Sequence, residues 1–266
     1  MIAEGNISKM RVELEHPVHY TLQLSDEVKV DMNDLIGKEI SLAFNGVINC
    51  VNCGRVTKKS FAQGSCYPCF INSPNNAECI IRPELCRAHL GEGRDPEWEE
   101  RNHNQPHIVY MAIGAGIKVG VTRETQIPTR WIDQGAWKAV RLAKTPNRYQ
   151  AGVIEVDMKS HVSDKTHWMK MLKNELAEDL DVIKVKEELL QIMNDKYNDF
   201  HSEDNEIIEI NYPVLEFPTK VKSHNLDKLP LLKGKLMGIK GQYLIFDGGI
   251  VINLRKYSGY HIEITA

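Results

Sequence analysis

Alternation with a period of two opens the chain. Met10, Val12 and Leu14 alternate with Arg11 and Glu13, and Tyr20, Leu22 and Leu24 alternate with Thr21 and Gln23. Side chains two apart share a face of a strand, so the first 45 residues read as half-buried strands. Residues 234–264 carry the same signature, and the two ends resemble each other. VKVDMNDLIGKEISL (28–42) aligns without gaps on IVINLRKYSGYHIEI (250–264), placing Gly37 on Gly259 and Ile40 on Ile262. With gaps allowed, Tyr20 falls on Tyr243 and Gly5 on Gly234. The match suggests a duplicated β-unit at each terminus, whose copies pairing as small barrels would leave no exposed sheet edge. Unrelated amphipathic hairpins with a turn glycine give a similar pattern, so both readings stand.

The middle of the chain changes period. HIVYMAI, a Gly114–Gly116 turn and IKVGVT read as a hairpin, followed by a helix at 128–134, the strand KAVRLA and a helix from Arg148. Between Asp164 and Asp199, apolar residues such as Trp168, Leu172, Leu176 and Leu189 recur at helical spacing and predict one or two amphipathic helices. Ser163 or Asp164 would cap a helix beginning near Lys165. Pro213, Pro218 and Pro230 mark a linker. The expected fold class is α+β, in four segments: a β-unit at 1–45, a cysteine-rich segment at 46–106, an α+β domain with its following helices at 107–205, and a linker with a second β-unit at 206–266.

The 266 residues are 42% hydrophobic and 26% charged, enough to bury a substantial core, which excludes disorder and collagen as whole-chain readings. No apolar run approaches the roughly 18 residues of a spanning helix, and MIAEGNISKM has neither a basic start nor an apolar stretch. The expected location is the cytoplasm, with no membrane partner. A formal charge of −3 means that any nucleic-acid contact must come from a local patch.

All six cysteines, at 50, 53, 66, 69, 79 and 86, fall within 37 residues. A disulfide framework would be spread over the domain it staples, so the clustering points to thiolates around metal. Cys50-Val51-Asn52-Cys53 and Cys66-Tyr67-Pro68-Cys69 are two CxxC pairs twelve residues apart. Two intervening residues let both sulfurs of a pair converge on one ion, and two pairs complete the tetrahedron that zinc prefers. An iron-sulfur cluster is the other occupant that four cysteines suit. Cys79, Cys86, His89 and one of His103 or His107 make a candidate second zinc site, since Cys86-Arg87-Ala88-His89 has the knuckle spacing with imidazole for one sulfur. Both sites would be closed and structural.

Charge is segregated. From 118 to 148 the basic residues Lys118, Arg123, Arg130, Lys138, Arg141, Lys144 and Arg148 face only Glu124 and Asp133, with Trp131, Trp137 and Tyr149 interleaved. Cations for phosphates and rings for bases are the two parts of a single-stranded or looped RNA site. A solvated helix face beside core aromatics is the alternative. From 170 to 209 the balance reverses, to 12 acidic residues against 5 basic. Gly114-x-Gly116-x-x-x-Gly120 lies between strands, which gives a dinucleotide site no support. His16 and His19 flank Pro17 and read as a turn entering a strand.

The segments HIVYMAIGAGIKVGVTRETQIPTRW, KAVRLA and AGVIE resemble the GIY-YIG domain, a small α+β fold of metal-dependent nucleases and noncatalytic relatives. More closely, the cysteine segment, TRWIDQG and GIKGQYLIFDGG resemble the family called domain of unknown function 2797. The GIY-YIG resemblance implies that Tyr110 activates the nucleophile, that Arg130 steadies phosphate charge and that Glu155 holds a divalent cation such as Mg2+, with Gly120 closing the second strand motif. Lys118 stands where that motif has a tyrosine, and the late asparagine is missing, so the resemblance implies the fold more fully than hydrolysis.

The expected function is a zinc-stabilised nucleic-acid-binding protein, with RNA preferred to duplex DNA and Lys118, Arg123, Arg130, Trp131, Arg141, Lys144 and Arg148 as the contact residues. The alternatives are a Mg2+-dependent nuclease using Tyr110, Arg130 and Glu155, and a scaffold whose cysteine module and acidic helix dock a protein partner.

Overall fold

The computed structural model describes residues 2–25, 28–162 and 167–266. They form two compact units: Met1–Ile71 with Ile132–Gly135 and Ile210–Ala266, and Asn72–Trp131 with Ala136–Glu209. Strand and helix segregate within them, as an α+β fold requires.

In the first unit a seven-stranded sheet runs in the order Ile2–Asn6, Tyr260–Thr265, Glu39–Ile48, Leu231–Lys240, Tyr243–Phe246, Ile250–Asn253 and Lys222–Ser223. Neighbours are antiparallel except the last pair. Arg11–Glu13, His19–Leu24 and Val28–Asp31 form a separate three-stranded sheet. Alternation along His19–Leu24 buries Tyr20, Leu22 and Leu24 on one face, as the period of two requires.

The two aligned segments adopt the same local structure. Val28–Asp31, a helical turn at Asn33–Leu35 and Gly37 at φ 85° correspond to Ile250–Asn253, a turn at Leu254–Tyr257 and Gly259 at φ 84°. Each glycine sits in the left-handed region that other residues avoid. The copies then exchange partners. Gly37 N–H donates to Leu236 O at 2.7 Å and Leu236 N–H to Lys38 O at 2.9 Å, while Gly259 N–H donates to Ile7 O at 2.8 Å and Ile7 N–H to Tyr260 O at 2.9 Å. Ser25 Oγ accepts from Asn6 N–H, and Asp247 Oδ1 accepts from Lys235 N–H, both at 3.0 Å. A Cβ on Gly5 or Gly234 would approach those same two oxygens to 2.7 Å.

This exchange corrects the expectation of small barrels. The terminal β-units do pair, but each copy's first strand lies against the other's last strand. The result among the described residues is one open sheet, edged by Ile2–Asn6 and Lys222–Ser223, with no closed barrel.

The second unit is built on an antiparallel sheet in the order Ile117–Arg123, His107–Ile113, Lys138–Thr145 and Ile208–Glu209. His107–Ile113 is buried throughout. Asn147 caps the helix Arg148–Lys159 by accepting from Gln150 N–H at 3.1 Å, and Ala151, Ile154 and Met158 join the sheet's core. The predicted amphipathic stretch contains Trp168–Leu172 and Val182–Ile192, the latter capped by Asp181. The proposed cap at Ser163 or Asp164, with a helix start near Lys165, lies outside the described residues. Among the described residues no helix is long and apolar enough to cross a membrane.

Candidate metal centres and basic surfaces

The long strand Glu39–Ile48 leads into Cys50, and the chain turns at once. Gly54, at φ 72°, donates its N–H to Cys50 O at 2.8 Å, so Cys50 and Cys53 lie on one tight turn. The intervening loop returns through a pair of backbone hydrogen bonds between Phe61 and Ser65. Cys66 then precedes the helix Tyr67–Asn72, which carries Cys69 in its first turn. The four sulfurs lie within 4.8 Å of one another, and Cys53 Sγ is 3.8 Å from Cys66 Sγ. A tetrahedron with metal–sulfur arms of about 2.3 Å has edges of roughly 3.8 Å. Burial pushes the Cys50 thiol up, but hydrogen bonds from the backbone N–H groups of Cys66, Asn52 and Cys53 outweigh it and bring it down to about 6. The Cys53 and Cys66 sulfurs push Cys69 up to about 12. Four crowded sulfurs cannot all ionise by themselves, and a divalent cation relieves that conflict.

A second cluster lies in the other unit. Cys79 sits in the turn Glu78–Ile80 and Cys86 follows the turn Pro83–Leu85. Asp95 caps the helix Pro96–His103 through Trp98 N–H at 3.0 Å, placing Glu99 and His103 four residues apart on one face. One donor atom from each of Cys79, Cys86, Glu99 and His103 lies within 4.8 Å of the others, and all four residues are buried. A hydrogen bond with Cys79, aided by His103, holds Cys86 down to about 4, and the same Cys86 sulfur pushes Cys79 up. Both clusters could therefore hold a metal ion.

His89 and His107, the other candidate ligands, are not part of this cluster. His89 stacks on Tyr149 with centroids 4.7 Å apart. His107 is fully buried and its Nδ1 lies 2.7 Å from Gln105 O. Glu99 was not legible as a ligand, because it stands among Glu97, Glu99 and Glu100 on what reads as a solvated helix. Its signal was the four-residue spacing to His103.

The residues assigned to RNA are largely engaged within their own unit. Lys144 pairs with Glu124 at 2.8 Å and Arg141 with Asp204 at 3.6 Å. Arg123 Nη1 donates to Asn102 Oδ1 at 2.6 Å, and Arg148 donates to the carbonyls of Cys79 and Ile80. Trp131 is 1% exposed, so its ring offers no face for a base. Lys118 and Arg130 are half-buried and form no ion pair among the described residues. Of the residues implied by the nuclease resemblance, Tyr110 is fully buried, and a Cβ on Gly120 would come within 2.6 Å of its hydroxyl. Glu155 is 6% exposed and pairs with Lys159 at 2.9 Å, and its pKa is raised by burial.

A different basic surface is present on the first unit. Lys58 and Lys59, from the loop between the two CxxC pairs, line a hollow of about 610 Å³ with Arg255 and Lys256; Asp227 is its carboxylate. Lys256 also lines an adjoining hollow of about 540 Å³ with Lys222 and Lys228, which has no carboxylate. Tyr260 donates its hydroxyl hydrogen to Asp227 Oδ1 at 2.9 Å. Lys59 lies 5.2 Å from the Phe61 ring centroid, and Phe61 packs against Tyr67 and Phe70, which are 57% and 37% exposed. The alignment of the two ends held a clue to this surface: Arg255-Lys256 occupies the place that Asn33-Asp34 holds in the other segment.

Fold and clusters together define an α+β protein with two cysteine-based centres able to hold metal. Residues 37–262 match the family model described as Protein of unknown function (DUF2797), and the chain belongs to that family. No curated protein and no solved structure matches it, and the GIY-YIG resemblance gains no support from these comparisons.

Proposed function

We propose that the chain is a zinc-stabilised RNA-binding protein whose RNA surface lies on the first unit. In this reading, Zn2+ held by Cys50, Cys53, Cys66 and Cys69 fixes the intervening loop and so sets Lys58 and Lys59 opposite Arg255 and Lys256. Four cysteine sulfurs within 4.8 Å of one another, one pair at the 3.8 Å edge of a zinc–sulfur tetrahedron, favour zinc as the occupant. The observation that carries the RNA reading is that Lys59 of this cationic hollow lies over Phe61, which packs on the exposed rings of Tyr67 and Phe70 in the helix that follows the loop. Lysines and arginines neutralise successive phosphates while Tyr67 and Phe70 offer faces on which unpaired bases stack. A base stacked in duplex DNA does not present its face in this way. The copies have kept their backbone while the charge at 255–256 has diverged from that at 33–34, which supports a role for these cations outside folding.

The test is fluorescence anisotropy of a labelled single-stranded RNA across a salt series. Affinity falls steeply with salt, and K58E/K59E/K256E weakens binding at least tenfold and flattens the salt slope. Charge reversal of the ion-paired Arg141 and Lys144 leaves affinity within about twofold, on the same argument that paired cations release no counterions. Binding indifferent to both salt and the triple reversal overturns the proposal. Elemental analysis of the purified chain tests the metal separately.

A further inference from the structure

We infer that Cys79, Cys86, His103 and Glu99 form a second zinc centre of mixed donors, with Arg148 as its positioning residue. The inference stands apart from the RNA reading, because it concerns the other unit and different side chains.

The spacing of the four donors carries the argument. His103 Nδ1 lies 3.6 Å from Cys86 Sγ, 3.9 Å from Cys79 Sγ and 3.7 Å from Glu99 Oε2. The 3.7 Å separation between His103 Nδ1 and the Glu99 carboxylate is long for a direct hydrogen bond. These separations are within a few tenths of an ångström of donors arranged around a common centre: arms of about 2.3 Å to sulfur and 2.0 Å to nitrogen or oxygen give tetrahedral edges of roughly 3.3 to 3.8 Å. The donor set also selects the ion. Two thiolates disfavour Ca2+ and Mg2+, whereas thiolate, imidazole and carboxylate are all ligands that Zn2+ takes.

The surroundings are built to close such a site. Glu99 is 2% exposed and His103 3%, so both donors are shut off from solvent. Glu99 Oε1 accepts from Arg94 N–H at 2.9 Å, while Oε2 faces His103. A Cβ on Gly93 would come within 2.4 Å of both carboxylate oxygens, so a side chain there would have to displace the Glu99 carboxylate from its place. Two thiolates and one carboxylate with Zn2+ leave a single negative charge. Arg148 supplies the compensating positive charge from outside the ligand shell, holding the Cys79 turn through its carbonyls at 3.0 and 2.9 Å.

The test combines native mass spectrometry of the wild-type chain with cobalt substitution followed by absorption. Two metal ions per chain are expected. The thiolate-to-cobalt charge-transfer intensity of the mixed centre should be about half that of the four-cysteine centre, because it scales with the number of sulfur ligands. H103A and E99A should each lower the stoichiometry to one, and R148A should speed metal loss from the mixed centre to a chelator several-fold while R148K partly restores retention. A wild-type chain that saturates at one ion, or two ions retained in both H103A and E99A, overturns the inference. Should the variants fail to fold, the wild-type stoichiometry and intensity ratio decide it alone.

Discussion

Arg148 Nε donates to the Cys79 carbonyl at 3.0 Å, and this single bond ties the start of a core helix to a cysteine turn 69 residues earlier in the chain. With the second bond from Nη2 to Ile80 O, it places a guanidinium that the sequence assigned to RNA under the second metal cluster instead. Neighbouring cations behave alike: Lys138 pairs with Glu209 at 3.2 Å, and Lys144 and Arg141 have acidic partners of their own. Part of the local charge excess thus became internal pairing, with Glu209 and Asp204 of the acidic segment and with Glu124 beside the basic residues themselves.

Arg148→Ala is therefore expected to destabilise the chain. A hydrogen bond from a charged donor contributes about 1.5–3 kcal/mol when shielded from water; the bond to Cys79 O is part-buried and the bond to Ile80 O exposed, so truncation chiefly strips the Cys79 carbonyl of its donor. A loss of about 2 kcal/mol in urea unfolding is expected. Arg148→Lys keeps the charge but not the two-pronged geometry, and should recover only part of the loss.

Gly152→Ala separates helix propensity from packing. In an open helix the change stabilises by about 1 kcal/mol. Here the added Cβ would lie 2.2 Å from Glu84 N and 2.3 Å from Pro83 C, both backbone atoms in the turn before Cys86. Backbone cannot rotate aside as a flexible side chain can, so packing outweighs propensity. Net destabilisation of about 1–3 kcal/mol is expected by denaturant unfolding, together with weaker metal retention at the second cluster. A stabilised variant would show that the turn yields freely.

What was legible in the sequence follows from the range of the interactions involved. Cys50, Cys53, Cys66 and Cys69 announced themselves because their spacing alone brings the sulfurs together. The likeness of the two terminal β-units was legible in fifteen aligned residues, and their glycines at 37 and 259 adopt almost the same φ. The exchange of strands between copies was not, because strand pairing is non-local and period-two patterns do not name their partners. The hollow around Arg255 was hidden for the same reason, since its residues come from distant parts of the chain, whereas Glu99 was masked by the neighbouring glutamates of its own helix.

His107 gives the unit a distinctive acid sensitivity. Burial pushes its pKa from 6.5 down to about 4, so the folded imidazole stays neutral where the unfolded one gains a proton. Above about pH 6.5 neither state binds that proton and His107 has no effect. As pH falls from 6.5 towards 4 the unfolded state is favoured, by about 1.4 kcal/mol per pH unit, and below 4 the loss levels off. His107→Asn, which can keep a donor near Gln105 O, should remove this component. The difference between the two proteins' stability-versus-pH curves from pH 7 to 4 measures it, and parallel curves would show that His107 protonates without unfolding.

Removing metal from the four-cysteine centre should loosen its loop before the sheet beside it. The cluster is held by short local elements: a turn at Gly54, one bridge between Phe61 and Ser65, and a helix of six residues with no buried side chain. None of these buries enough apolar surface to order the loop by itself, so a metal held by the four sulfurs would supply much of its stability. The adjacent strand Glu39–Ile48 is paired on both sides and carries the buried residues Ile40 and Leu42. In hydrogen exchange after strong chelation, the amides of Ser65, Cys66 and Phe70 should lose protection by a factor of a hundred or more, on the order of 3 kcal/mol. Amides of Leu42 and Leu232 in the sheet should change little. Uniform loss of protection in both regions would mean that metal holds the whole unit together, and no loss in either would mean that the sulfurs have no structural role.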